Sequence, residues 1–187
     1  LYTAIVDSFR PLILSRKKEN DSQYEKTASS LYCITIYLAL AFLMMGILFY
    51  SSSQPYGDQS VTGILDQLLA NEPLKGLLSP IRFTYAGSEV SIAASGYNDF
   101  IEFFIRKAAH FASYFLLALF WFLGLKERVN GIYLTALLSW MLTAGYASFD
   151  EFHQGLTPDR TPLLEDIILD SVGAITAIIL CLLYFKK

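Results

Sequence analysis

Charged side chains are scarce in this chain of 187 residues. Asp, Glu, Lys and Arg make up 17% of it, where a soluble domain carries roughly a quarter. That shortage excludes an ordinary water-soluble surface. Together with 54% hydrophobic residues and a mean hydropathy of +0.43, it reads as a membrane protein. Basic residues are not in excess either. A net charge of -3 and an isoelectric point near 5.3 exclude the dense basic face with which a protein neutralises nucleic-acid phosphates. Cysteine is nearly absent: Cys33 and Cys181 both fall in apolar runs, and no CxxC or His/Cys spacing of zinc type accompanies them. Neither a disulfide framework nor a zinc site is expected. No Gly-rich phosphate loop, internal repeat or low-complexity tract occurs. After the basic Arg16-Lys17-Lys18 no short apolar core with a small-residue cleavage site follows, so the first span is expected to stay in the mature chain.

Long apolar runs are what the chain has instead. Residues 31–50 carry no charge and, at about 1.5 Å per residue, cross a hydrocarbon core of roughly 30 Å. Three further spans are expected at 108–125, 131–147 and 167–185, the second and third short enough to need a thinned bilayer or helical extensions beyond it. The fold class is therefore an all-α membrane protein of four transmembrane helices, with 1–28 as a cytoplasmic segment and 29–187 as the membrane domain. Lys and Arg set the expected orientation. Arg16, Lys17, Lys18 and Lys26 precede the first span, Lys126 and Arg128 occupy the second connection, and Lys186 and Lys187 close the chain. Both termini are expected in the cytoplasm, and the carboxylate-rich stretches 51–107 and 150–166 outside.

The outer stretch 51–107 has pattern of its own. Apolar residues recur at helical spacing over Val61–Leu69, with Ser60 or Thr62 as a cap. Residues 81–85 and 90–92 alternate around a Gly-containing turn, which predicts a β-hairpin lying on the outer helix ends. From Asn98, read as an N-cap, a helix with Asp99 and Glu102 in its first turn runs unbroken into the second span.

Ionisable groups crowd one level of the bundle. Arg106, Lys107, His110 and Tyr114 lie at i, i+3 and i+4 spacings on the second span. The third runs into Asp150, Glu151, His153 and Gln154, and the return brings Arg160, Asp166 and Asp170. Asp170 falls in the first turn of the predicted fourth span and shares a face with Asp166, continued by the small Gly173 and Ala177. Ionisable groups beside hydrocarbon cost free energy unless they face water, a partner or a ligand, so this connection is the candidate site. Asp150 and Glu151 read as an acid/base pair or phosphate-metal cradle, or as salt-bridge partners of Arg106, Lys107 or Arg160. His110 and His153 read as acids, as ligands or as hydrogen-bonded structural groups. Arg160 suits a bidentate phosphate clamp or neutralises Asp166. No cofactor is expected; a divalent cation stays open, with no metal ligands assigned.

Lys107-Ala108-Ala109-His110-Phe111 with Tyr114, Asp150-Glu151-Phe152-His153-Gln154, and Pro158-Asp159-Arg160 with Asp166, Asp170 and Gly173 resemble the VanZ-like family of small bacterial membrane proteins. Ala118 and Ala177 stand where the resemblance leads one to expect glycine, and Asp170 where asparagine is commoner. The resemblance implies a bacterial cytoplasmic-membrane protein linked to low-level resistance to teicoplanin, a glycopeptide that binds peptidoglycan precursors outside the membrane. With the outward topology it suggests an extracytoplasmic pocket for a lipid-linked envelope precursor or an anionic lipid head group. There Arg106, Lys107, Tyr114, Gln154, Arg160, Asp166 and Asp170 would bind. If the protein is a hydrolase or transferase, Asp150 or Glu151 would be the base and His110 or His153 the acid. The alternative is a non-enzymatic assembly or partner-binding factor. Ion translocation is disfavoured, because the middle of each span lacks ionisable residues.

Overall fold

A computed structural model describes Gln23, Leu31, Tyr32 and residues 34–55, 57–158 and 160–186. The cations at 16, 17, 18, 26 and 187, together with Cys33 and Asp159, lie outside the described residues. Among the described residues, four helices are long and apolar enough to cross a membrane: α1 (Ile34–Ser52), α5 (Tyr97–Leu125), α6 (Ile132–Gln154) and α7 (Leu164–Phe185). Between α1 and α5 come a 3-10 turn (Gly57–Gln59), α2 (Thr62–Leu68), α3 (Lys75–Leu78), strands β1 (Arg82–Tyr85) and β2 (Ser88–Ser91), and α4 (Ile92–Ser95). The four-span architecture with a small hairpin between the first and second spans is the one expected from sequence.

The boundaries differ in informative ways. With 29 residues, α5 is about 43 Å long at 1.5 Å per residue, well beyond a hydrocarbon core of about 30 Å. Its first turns therefore have length to project past the core, which resolves the shortness of the predicted second span. It begins at Tyr97 after Gly96, one residue before the predicted cap Asn98, whose amide instead donates to Asp66. Helix α2 likewise has Val61 at its cap position with no side-chain cap; the Ser60 hydroxyl accepts the Thr62 N–H at 3.3 Å and donates to Glu102. Helix α6 runs on to Gln154, so Asp150, Glu151, His153 and Gln154 belong to its end and the true connection starts at Gly155. Helix α7 starts at Leu164, which moves Asp170 from the first turn into the second.

The core lies among α5, α6 and α7, where α5 and α7 make the most extensive contact. Small residues permit it: Ala118, Ala174 and Ala177 are fully buried. A Cβ on Gly173 would sit 2.5 Å from the Phe111 carbonyl oxygen, so that position accepts no side chain without backbone movement. On α6, buried Thr135, Ser139 and Thr143 each return their hydroxyl to the carbonyl four residues earlier, a self-satisfied polar stripe inside the bundle. Helix α1 is peripheral. It packs through Ile34 and Ala41, through Leu38 against Gly124, and through the Tyr146 hydroxyl donating to the Met45 carbonyl. Cys181 is a buried free thiol. Large apolar side chains such as Phe42, Leu43, Ile179 and Leu183 face outward, as helices in lipid require.

In the hairpin, Phe83 pairs with Val90 and Tyr85 with Ser88. The two-residue turn has positive φ at both Ala86 and Gly87, the conformation that matches strand twist and for which glycine has no steric cost. Phe83 and Tyr85 point at α5, where their rings meet Phe103 at 6.0 and 5.2 Å. The hairpin thus lies on the helix end as expected.

Candidate functional site

Asp150, Glu151, Asp166 and Asp170 are buried at this end of the bundle, and α5 reaches three of them. Asp166, in the first turn of α7, receives the Lys107 ammonium and the Tyr85 hydroxyl on the same oxygen, both at 2.5 Å. Asp150 accepts from Tyr114 at 3.0 Å and from the Gln154 amide at 3.2 Å. Glu151 accepts the Leu163 backbone N–H at 2.5 Å, tying the end of α6 to the return loop. Asp170 lies 3.5 Å from His110 Nδ1. Among the described residues, one oxygen of Asp150 and one of Asp170 are buried with no hydrogen-bond partner.

Arg160 bridges two elements, donating to Gln154 at 2.9 Å and to Gln59 in the 3-10 turn. Arg106 pairs with buried Glu102 at 2.7 Å, and Ser60 donates to that carboxylate's other oxygen. Tyr85 is the one member outside the spans whose ionisation is clearly displaced. Burial first, then donation to Asp166, then the charges of Asp166, Glu165 and Asp170 hold its phenol far above the usual range, so it acts only as a neutral donor.

These groups surround a cavity of about 290 Å³ lined by Arg106, Lys107, His110, Gln154, Arg160, Thr161, Leu163 and Asp166. Among the described residues, three basic side chains face one carboxylate there, with an imidazole at the wall. Six residues singled out from sequence thus line one chamber. Tyr114, Asp150, Glu151 and Asp170 do not line it: they are buried, and they hold the helix ends. His153 lies apart from it; its Nδ1 is 2.7 Å from the Ser52 hydroxyl, and its ring stacks on Phe49 at 4.3 Å. Among the described residues no group of three or more His, Cys, Asp or Glu side chains gathers as a metal site.

Sequence reasoning missed Tyr85, Gln59, Thr161 and the site role of Glu102. Tyr85 looked like one aromatic of an alternating strand, and Glu102 was already explained as an acid at a helix N-terminus. Long-range packing brings Tyr85 to Asp166 and Gln59 to Arg160, whereas Glu102 meets Arg106 at i,i+4 spacing, a signal the sequence carries.

The fold and the polar end of the bundle define a small multi-pass membrane protein with a basic chamber where its helices end. Residues 37–185 match the VanZ/LLP1 family model, and the chain belongs to that family. No curated protein and no solved structure matches it.

Proposed function

We propose that the chamber binds the phosphate of an anionic lipid head group or lipid-linked envelope precursor on the outer face of the membrane. The observation that carries this reading is the lining itself: among the described residues, Arg106, Lys107 and Arg160 converge on one cavity with a single carboxylate, Asp166, in the wall. Guanidinium and ammonium groups in a half-buried setting make charge-assisted contacts with phosphate oxygens. Here they are already oriented by Glu102, Asp166 and Gln154. A phosphate would compete with Asp166 for Lys107. The family's link to teicoplanin resistance fits a ligand among cell-envelope lipids.

Binding is favoured over catalysis because Asp150 and Glu151 are buried behind the chamber with hydrogen-bond partners, and among the described residues Thr161 supplies the single hydroxyl in its lining. A second reading, hydrolysis at the lipid phosphate, is supported by His110, which lines the chamber and faces Asp170. Turnover of a labelled lipid phosphate that disappears in His110→Ala would select it.

The full chain in phosphatidylcholine nanodiscs tests the binding reading, with phosphatidic acid as the probe and native mass spectrometry as the readout. Phosphatidic acid should be retained over phosphatidylcholine, and Lys107→Met or Arg160→Ala should weaken retention about tenfold or more, the worth of one charge-assisted contact. Equal retention of the neutral and anionic lipids by the wild type would discard the proposal.

A further inference from the structure

A second cavity of about 420 Å³ adjoins the first beneath the hairpin. Its walls share Arg106, Lys107, Thr161 and Leu163 with the basic chamber, then continue with different chemistry: Val90, Phe103, Ala86, Ser88 and the Tyr85 ring. The strand register builds this wall. Tyr85 is opposite Ser88 and Phe83 opposite Val90, so one face of the hairpin carries all four, while Arg82, Thr84 and Glu89 take the other. Phe103 backs it, packed against both Phe83 and Tyr85. Beside it the exposed rings of Phe83 and Phe104 meet at 6.2 Å. A basic chamber continuous with an apolar one is the shape of an amphiphile, in which charged phosphate and hydrocarbon are joined by a short link.

We infer that the hairpin chamber is an apolar subsite for the hydrocarbon next to the phosphate, so the ligand is a phosphate-bearing amphiphile and not a soluble phosphate ester. This rests on the head-group reading and extends it: the basic side chains take the phosphate, while Val90 and Phe103 shelter the first stretch of chain. Tyr85 stands between the two, its hydroxyl on Asp166 and its ring in the apolar wall. The hairpin thereby becomes a specificity element.

Hexyl phosphate and inorganic phosphate separate the two parts, titrated by calorimetry into the full chain in phosphatidylcholine nanodiscs with empty discs subtracted. The wild type should bind hexyl phosphate at least tenfold more tightly than inorganic phosphate. Ser88→Trp, which fills the apolar chamber with a residue suited to strands, should bring hexyl phosphate down to the level of inorganic phosphate and leave the latter's affinity unchanged. Val90→Asn, a second variant, should do the same by making that wall polar without adding charge beside Arg106 and Lys107. Equal affinity of the wild type for both probes would overturn the subsite and leave the head-group reading standing. Wild-type affinity for hexyl phosphate in both variants would also overturn it, as would loss of inorganic phosphate binding in both. Binding of neither probe to the wild type would end both readings.

Discussion

Asp166 shows how much one residue can organise. A single carboxylate oxygen takes a proton donor from the hairpin and a cation from α5, so the outer segment is fastened to the bundle at the mouth of the chamber. The Tyr85 half of this arrangement has a pH signature. Its folded pKa lies above the ordinary value of 10.0, so its contribution to stability is complete below that pH and declines as pH climbs through the folded value. Tyr85→Phe should therefore destabilise by about 1 kcal/mol, the net worth of one hydrogen bond. The difference from wild type should be constant between about pH 6 and 9 and shrink only above about pH 10. Thermal unfolding of both proteins in detergent across that range checks it; a difference that vanishes near neutrality would refute the assignment.

At the scale of elements, the seam between α5 and α7 governs how closely the site can assemble. His110 and Lys107 face Asp170 and Asp166 across it, and Gly173 lets the α7 backbone approach the Phe111 carbonyl one turn further along. Because the clash at that position would be with backbone and not with a flexible side-chain tip, Gly173→Ala should separate the two helices. The expected cost is about 1–3 kcal/mol, typical of overpacking. It should appear as a lowered melting temperature together with weaker phosphatidic acid retention, since Lys107 and Asp166 would move apart. Ala177→Gly on the same face removes a methyl group without creating a clash and should not weaken retention. An unaltered melting temperature for Gly173→Ala would show that the seam is looser than its geometry. On α6 the Thr135, Ser139 and Thr143 hydroxyls are satisfied within their own helix, so that stripe provides close packing and not a polar path.

For the whole molecule, charge asymmetry is the determining property. The C-terminal ends of α5 and α7 lie together, with Lys126 over the Phe185 ring at 4.1 Å, and Arg128 follows in the same short connection. The chamber is at the opposite end of these helices. Cations in short connections favour the cytoplasmic side, which supports an outward-facing chamber. Leu156→Cys, exposed in the loop after α6, should react with a membrane-impermeant maleimide in intact cells, and Arg128→Cys only after lysis. The reverse pattern would invert the topology and with it the proposed ligand. Four spans, a hairpin and the identities of most chamber residues were legible in the sequence. Uncharged runs of membrane length, strict alternation at 81–85, and carboxylates interrupting apolar helices are local signals that the solvent preferences of side chains impose directly. The tertiary structure alone decided which acids line the chamber and which, like Asp150 and Glu151, are buried behind it. It alone turned His153 toward α1 and brought Tyr85 and Gln59 into the site. Periodicity reports the face on which a residue lies, whereas its partner across 40 to 100 residues depends on how helices and hairpin pack, and no local pattern encodes that distance.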